Sequence, residues 1–369
     1  MHYRSIDDLN RDMKHWLLRL PQDIEVVAGL PRSGMLAANM LVLHMNLPLT
    51  DVEGLIEGRI LMSGPRCAVQ AAGDFLQTPR KVLVLDDCVF TGKQIENARC
   101  RINDANLPHQ VLYAGVYVEP QKAGLLDFYC KCLPWPQLFE WNIMHHWILQ
   151  NSCVDIDGVL CRDPSAEEDD DGPAYEAFIR DARPFIRVSR KIGWLVTCRL
   201  EKYRMQTEEW LARHGIQYDK LIMLDLPDKR ARLRARCDAA FKAQTYRSTN
   251  ASLFIESSRH LSAAVANMTG REVFCTESAE MYYPGTLRRF RVSNARVLMH
   301  KALANPLSAL ATARRMAGHA VYRAKLFAFN RPQRAPAEKT LKQDKRKCVG
   351  LCRTVPDGSE GSDGSDGSG

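Results

Sequence analysis

Short apolar runs alternate with helical spacing through the first half of the chain. The run from 81 onward (KVLVLDDCVFTGKQI) is apolar as far as its two carboxylates, which is typical of a buried parallel strand followed by a turn and a helix. The pattern predicts helices over Ile6–Leu20 and Met35–Leu47, and strands over Ile24–Ala28 and Val111–Val118. Strands and helices that alternate in this way predict a parallel α/β sheet.

A second series of the same kind begins near residue 150. The pattern predicts strands over Ser152–Ile156, Ile192–Val196, Leu221–Leu224 and Ser252–Ile255, and a helix over Glu201–His214 that stops at Gly215. Polar residues follow several of these strands, and open α/β sheets bind their ligands at that edge. The sequence therefore predicts a second α/β unit with a site of its own.

Composition divides the chain into further parts. Its 369 residues are 46% hydrophobic and 25% charged, which fits a soluble protein of two or three domains. No apolar stretch is long enough for a membrane span and the start lacks a signal-peptide pattern, so we expect a cytoplasmic protein whose twelve scattered cysteines are reduced thiols.

The formal charge is +8, yet 285–350 holds 16 Lys or Arg and two acids. We predict four parts: 1–148, 149–284, a basic amphipathic helical region at 285–347, and a disordered tail at 348–369.

The most specific signal in the first half is the segment 82–94. Asp86 and Asp87 are adjacent acids, and the turn at Thr91, Gly92 and Lys93 opens a helix. Backbone N–H groups at a helix start bind phosphate, and paired carboxylates suit two ribose hydroxyls. The alternative is an ordinary strand, turn and helix with solvated acids.

This segment resembles the 5-phosphoribosyl-1-diphosphate (PRPP) loop of the type I phosphoribosyltransferases, and GLPRSG (29–34) resembles their pyrophosphate loop. The resemblance covers about 145 residues. It implies that Asp86 and Asp87 face the ribose and that Arg32 and Ser33 hold pyrophosphate with Mg²⁺. The residues implied to bind PRPP around the 5-phosphate turn are Cys88, Val89, Phe90, Thr91, Gly92 and Lys93.

The family's mobile loop should correspond to 55–77, where Arg59 and Arg66 are pyrophosphate ligands or, equally well, solvated surface arginines. Breaking the C1–O bond of PRPP produces an oxocarbenium-like centre and a charged leaving group, which cations stabilise. A sugar hydroxyl that attacks this centre needs a general base. The sequence offers five carboxylates and does not choose among them: Asp51, Glu53, Glu57, Asp86 and Asp87.

In the second half, Asp155 and Asp157 stand two residues apart just after a predicted strand. A phosphoaspartyl mechanism needs this pattern, with Asp155 as nucleophile and Asp157 as the acid that protonates the leaving alkoxide and later activates water. The alternative is a calcium-binding or capping Asp-x-Asp-Gly loop.

The segment is similar to the first motif of the haloacid dehalogenase superfamily, and the further motifs follow in order. The resemblance implies that Thr197 donates a hydrogen bond to the phosphoryl group, that Lys242 neutralises it, and that Mg²⁺ is held by Asp155, Asp157 and Glu256. Lys220 and Lys229 are rivals to Lys242. Serines follow Glu256 where the family usually has a second acid.

Together the halves resemble bifunctional phosphoribosyltransferase–phosphatase proteins of bacterial polysaccharide assembly. The resemblance implies a type I phosphoribosyltransferase fold and then a haloacid dehalogenase-type fold, both Rossmann-like. It also implies transfer of phosphoribosyl from PRPP to a glycan, lipid-linked or free, and removal of the 5-phosphate to leave β-ribofuranose.

Two other functions remain open at this stage. The main alternative is a nucleobase or nucleotide phosphoribosyltransferase with a fused nucleotide phosphatase. The third is a nucleic-acid-binding module, although 285–330 carries no recognised motif of that kind and we expect no nucleic acid. A basic amphipathic helix fits an anionic membrane surface, here the inner leaflet, or a solvated helix.

Overall fold

The computed structural model describes residues 1–61 and 75–285. Arg66, most of the 55–77 loop, and the basic region and tail from 286 onward therefore lie outside the described residues. The helices in the described ranges are α1 (Ile6–Trp16), α2 (Ser33–Met45), α3 (Val52–Glu57), α4 (Lys93–Asp104), α5 (Pro173–Asp181), α6 (Arg204–Arg213), α7 (Lys229–Ala235), α8 (Asp238–Ser248) and α9 (Arg259–Thr269).

The strands in the same ranges form two large sheets and one small one. They are β1 (His2–Arg4), β2 (Val26–Gly29), β3 (Leu49–Asp51), β4 (Lys81–Val89), β5 (Gln110–Val118), β6 (Phe128–Cys132), β7 (Gln137–Phe139), β8 (Ser152–Val154), β9 (Ile192–Leu200), β10 (Tyr218–Leu224), β11 (Leu253–Glu256), β12 (Val273–Cys275) and β13 (Glu280–Tyr282). The predicted parallel α/β organisation is confirmed for both series of strands.

The first large sheet has the strand order β3-β2-β4-β5-β6, and all its neighbours are parallel. The prediction that β4 ends at its two carboxylates is wrong, because the strand continues to Val89. Its pairing with β2 stops at Leu85, opposite Gly29, whereas its pairing with β5 continues to Val89. Asp86 and Asp87 thus lie in the strand, just beyond the end of β2, where an edge of β4 is open to a ligand.

The second large sheet has the order β10-β9-β8-β11-β12-β13, in which β13 alone is antiparallel to its neighbour. Strand β8 ends at Val154, directly before Asp155, and β11 ends at Glu256. Thr197 lies within β9 and not at its end, because that strand runs on to Leu200. After α6, Gly215 has a φ of +65°, the left-handed conformation expected where a helix stops.

Residues 140–151, which we call the connector, form two 3₁₀ helices between the two large sheets. Its apolar side chains pack into the core of the second sheet: Ile143, Met144, Ile148 and Leu149. Just before it, β7 pairs in parallel with β1. Tyr3 in β1 also reaches the second sheet, because its hydroxyl donates to the Ala279 carbonyl (2.7 Å) and its ring lies 5.5 Å from that of Phe274.

Within residues 1–61 and 75–285, no helix combines the length and apolar character that crossing a membrane requires. The nine cysteines in these ranges form no disulfide bonds.

Candidate functional site

The two motifs of the first half meet in one cleft of about 490 Å³. Arg32 ends the loop after β2, Ser33 begins α2, and Asp86 and Asp87 come from the neighbouring strand β4. The carboxyl ends of parallel neighbours meet at the same edge of a sheet, which brings together residues more than 50 positions apart. The first cleft therefore joins the two sequence motifs that were predicted to bind one ligand.

Gly34 lets the start of α2 lie directly against β4. A Cβ atom at this position would stand 2.9 Å from the Leu85 carbonyl oxygen and 2.9 Å from Oδ1 of Asp86. Only glycine allows that approach to a backbone atom without a shift. The Pro31–Arg32 peptide bond in the same loop is cis. The loop and the carboxylate pair are thus packed against each other.

The two carboxylates differ in their surroundings. Asp87 accepts a hydrogen bond from the indole N–H of Trp141 (2.7 Å), and Asp86 accepts one from the backbone N–H of Asp87 (3.0 Å). Burial, together with the adjacent Asp87 carboxylate, raises the pKa of Asp86 well above its usual range. A pair of which one member readily holds a proton can both donate to and accept from vicinal hydroxyls.

The turn predicted to hold the 5-phosphate lies between β4 and α4. Gly92 caps α4 with a φ of +83°, and Lys93 N–H donates weakly to Thr91 Oγ1 (3.4 Å). Phe90 lines the first cleft, whereas Thr91, Gly92 and Lys93 are not among its lining residues. Cys88 also lines it, and burial raises the pKa of its thiol, which donates to Gln137 Oε1 (2.9 Å).

Three of the five candidate general bases are engaged elsewhere. Asp51 caps α3 by accepting from Gly54 N–H (2.6 Å), and Glu53 pairs with Arg101. Glu57 pairs with Arg59 (3.4 Å), which also contacts Asp51 (3.5 Å). These three acids and Arg59 do not line the first cleft, and Arg66 lies outside the described residues. Of the five, Asp86 and Asp87 are left at the site.

In the second sheet, Lys242 joins the ends of β8 and β11. Its Nζ donates to Asp155 (2.6 Å) and to Glu256 (2.5 Å), and all three side chains are buried. Lys220 is exposed on β10, and Lys229 pairs with Asp169. The structure therefore brings Lys242, and not its two rivals, to Asp155. Burial raises the pKa of Asp155 to about 7, although the Lys242 cation opposes the shift.

Asp157 forms a separate ion pair with Arg199. The guanidinium donates to both carboxylate oxygens, with Nη2 to Oδ1 at 2.6 Å and Nε to Oδ2 at 3.0 Å. The Arg199 side chain is fully buried and lies 5.9 Å from the ring centres of Phe178 and Trp210. Burial of the Arg199 side chain lowers its pKa, but the Asp157 carboxylate outweighs burial and raises the pKa above its usual value. The pair fixes the direction of the Asp157 side chain.

In this arrangement Asp155, Asp157 and Glu256 each pair with a cationic side chain. Lys242 Nζ occupies the point where Asp155 and Glu256 converge, and Arg199 covers Asp157. Across the described ranges, no three His, Cys, Asp or Glu side chains come together so as to hold a metal ion. Mg²⁺ therefore stays a prediction from the sequence resemblance.

A second cleft, of about 590 Å³, opens beside this cluster. Gly158, Ser257 and Ser258 line it, together with Met144 of the connector. Asp155, Lys242 and Glu256 lie beneath the surface and are not among its lining residues. Thr197 is buried as well, and its Oγ1 accepts from Arg199 N–H (3.2 Å). Its donation to a phosphoryl group stays a prediction.

No protein-family model matches the chain, and no curated protein matches its sequence. Solved structures similar to part of it include the xanthine-guanine-hypoxanthine phosphoribosyltransferase of Helicobacter pylori, at 20% identity and a TM-score of 0.29, over 38% of this chain and 93% of that one. A purine phosphoribosyltransferase of Pyrococcus horikoshii is 18% identical at a TM-score of 0.29, over 38% and 92%. A hypoxanthine phosphoribosyltransferase of Staphylococcus aureus is 15% identical at a TM-score of 0.25, over 35% and 74%. Similarity this low carries no argument about function.

Sequence reasoning missed the residues that complete the two sites. The lining of the first cleft also includes Trp135, Asn142, His146 and Trp147. They belong to no local motif, although the density of aromatic residues in WPQLFEWNIMHHW (135–147) is a signal that could have found them. No local sequence pattern identifies Arg199 as a site residue, because its partner Asp157 is 42 residues away.

Proposed function

We propose that the chain transfers 5-phosphoribosyl from PRPP to a hydroxyl of a glycan and then hydrolyses the 5-phosphate, leaving a β-ribofuranose residue during surface polysaccharide assembly. The observation that carries the proposal is the convergence of Arg32 and Ser33 with Asp86 and Asp87 in the first cleft. In this proposal both steps occur in the cytoplasm, at the inner face of the membrane if the acceptor is lipid-linked.

In the first step, the bond between C1 of the ribose and the diphosphate oxygen breaks, and its electron pair leaves with the diphosphate. The acceptor oxygen bonds to C1 and loses its proton. Asp86 and Asp87 would hold the ribose hydroxyls, and the exposed Arg32 would balance charge on the diphosphate. Asp87 is our candidate for the group that takes the proton, because Trp141 fixes its carboxylate in the first cleft.

In the second step, an Asp155 oxygen attacks phosphorus, and the bond from phosphorus to the 5-oxygen breaks. Asp157 gives a proton to that leaving oxygen, and water then hydrolyses the phosphoaspartate. Lys242 holds Asp155 beside the strand end, which supports the nucleophile, and Arg199 orients Asp157. Because the Arg199 guanidinium donates to both Asp157 oxygens, one of these bonds has to open before Asp157 carries the proton that it gives. The proposed chemistry uses these four side chains and requires none from the first cleft.

The test measures both activities of the full chain with PRPP and magnesium chloride. Diphosphate release in the presence of a glycan acceptor reports transfer, and p-nitrophenyl phosphate hydrolysis reports the phosphatase. Asp87→Asn should abolish transfer and leave hydrolysis unchanged. Asp104→Asn, at an exposed position on α4, is the matched control and should change neither.

Two results would contradict the proposal. If Asp87→Asn abolished both activities in a folded protein, the sites would not be independent. If a free nucleobase yielded a nucleotide while glycans yielded no adduct, the nucleobase phosphoribosyltransferase alternative would replace the glycan transferase.

A further inference from the structure

Three aromatic side chains form a row along the wall of the first cleft. The ring centres of Phe90 and Trp135 are 4.9 Å apart, and those of Trp135 and Trp147 are 5.0 Å apart. All three side chains line the first cleft, and each is about two-fifths exposed. Large aromatic side chains are stabilised by burial, so an exposed row of them inside a cleft indicates a surface that a ligand covers.

The row begins beside the reacting groups. Phe90 follows Asp87 by three residues at the end of β4, and Trp141, which fixes the Asp87 carboxylate, belongs to the same connector as Trp147. The row and the carboxylate pair thus line the same cleft. An acceptor that lies on the row shares this cleft with a ribose held by the pair.

Two uncharged polar side chains, His146 and Asn142, line the first cleft together with the row. His146 accepts a hydrogen bond at Nδ1 from Ile148 N–H (3.2 Å), so the proton of the neutral ring is on Nε2, which can donate. Burial lowers the pKa of His146 to about 4, so the ring is neutral near pH 7. Asn142 Oδ1 is shielded from solvent and has no hydrogen-bond partner among the described residues. The His146 donor suits a hydroxyl group of a ligand, and the Asn142 oxygen can accept from one only after its side chain turns toward the cleft.

We propose that Phe90, Trp135 and Trp147 form the acceptor subsite of the first cleft, and that this subsite takes a neutral saccharide rather than a nucleobase. The inference rests on the proposed transferase function. Enclosing a planar base between two rings requires a gap of about 7 Å, twice the ~3.5 Å contact distance. The ring centres of Trp135 and Trp147 are too close for that. The rings of Trp135 and Trp147 are stacked, with 18° between their planes, and the ring of Phe90 is tilted by 30° against that of Trp135. The row therefore offers ring edges and its two outer faces as apolar surface, against which the C–H groups of a sugar can pack.

The test compares the wild type with Trp135→Ala and Trp147→Ala. Saturation-transfer NMR with the methyl glycosides of lactose, cellobiose and chitobiose measures binding of neutral saccharides, and adenine, hypoxanthine and uracil serve as base probes. Steady-state transfer to any probe that reacts gives separate KM values for acceptor and PRPP. Tyr129→Ala removes a similarly exposed aromatic side chain on β6, outside the first cleft, and is the control.

We expect saturation transfer to the sugar ring protons in the wild type and in Tyr129→Ala, and its loss in both tryptophan variants. The KM for a reacting saccharide should rise about tenfold, as expected for loss of one aromatic contact. The KM for PRPP should stay unchanged, and Trp147→Phe should recover most of the loss. A purely structural role would raise both KM values together.

Other outcomes overturn the inference without deciding the transferase proposal. If no saccharide probe receives saturation, or if the tryptophan variants bind saccharides as well as the wild type does, the row is not the subsite. If adenine, hypoxanthine or uracil binds in a way that needs Trp135 and Trp147, the subsite is for a base. Absence of PRPP turnover with every acceptor would instead count against the proposed function, and the NMR result would still decide the role of the row.

Discussion

Replacing Lys242 with methionine should destabilise the second sheet strongly. The methionine side chain fills similar space but leaves Asp155 and Glu256, which are 7% and 1% exposed, without the cation that now lies within 2.6 Å of both. At an effective dielectric constant of about 20, two unit charges about 5 Å apart repel by about 3 kcal/mol. Breaking a buried ion pair by removing one partner typically costs about 3–5 kcal/mol. We therefore expect Lys242→Met to lower the free energy of unfolding by about 3–4 kcal/mol near pH 7.5.

The loss of stability caused by Lys242→Met should be smaller at lower pH. In the variant, the folded state can relieve the repulsion by holding a proton on one carboxyl, so that its folded pKa lies above the unfolded value of about 4. Between the two pKa values, this carboxyl is more protonated in the folded than in the unfolded state. The stability of the variant therefore rises as the pH falls through that range. Because holding that proton costs about 1.4 kcal/mol per pH unit above the unfolded pKa, the loss near pH 5 should be only about 1–2 kcal/mol.

Urea denaturation followed by circular dichroism at pH 5 and 7.5 measures both quantities. Lys220→Met, at an exposed lysine on β10, is the control and should change stability little. Adding Glu256→Gln to Lys242→Met removes one of the opposed charges and should recover about half of the loss. If Lys242→Met matched the control at both pH values, the two carboxylates would not be buried around this lysine in solution.

Three further predictions follow from the sites and the sequence. Asp155→Asn should stop dephosphorylation but not transfer, so the acceptor should accumulate with one additional phosphate in a mass spectrum; a fully dephosphorylated product would refute the assigned nucleophile. Gly34→Ala should cost about 1–3 kcal/mol of stability and weaken PRPP binding in calorimetry, because its Cβ meets the Leu85 carbonyl; unchanged binding would show that the approach of α2 to β4 does not matter. Truncation after Pro284 should release the protein from anionic vesicles in a sedimentation assay and slow transfer to a lipid-linked acceptor but not to a soluble one; equal slowing of both would contradict the membrane role.

Seven strands of the described ranges could be predicted from the sequence, because each is an apolar run that pairs in parallel: β2, β4, β5, β8, β9, β10 and β11. The other six, of three to five residues each, could not be predicted: β1, β3, β6, β7, β12 and β13. The ends of the seven predicted strands could not be predicted either, as β4 demonstrates. Two adjacent carboxylates normally indicate that a strand has ended. Asp86 and Asp87 nevertheless continue β4. They can do so because β2 stops at Gly29 and the two side chains line the cleft beyond its end. The end of a strand depends on the length of its neighbour, which no local pattern contains.

The candidate sites divide in the same way. Motif residues near the carboxyl ends of neighbouring strands, such as Arg32 after β2 and Asp87 in β4, could be predicted to meet because parallel strands share an edge. Arg199 and Trp147 could not, because each reaches its site through the packing of distant segments. Lys242 is an intermediate case. A lysine that neutralises the phosphoryl group could be expected from the sequence, but only the packing of α8 distinguishes Lys242 from Lys220 and Lys229.

The position of β1 also has a consequence for biosynthesis. Tyr3 leaves the ribosome well before its partners Phe274 and Ala279, which are made some 270 residues later. At about 5–20 residues per second, that interval is on the order of tens of seconds. During translation β1 can pair with β7 once that strand has emerged, while its remaining contacts wait for β12 and β13. The nascent chain therefore passes through a stage in which the first sheet is assembled and the ring of Tyr3 still lacks the surface that will cover it.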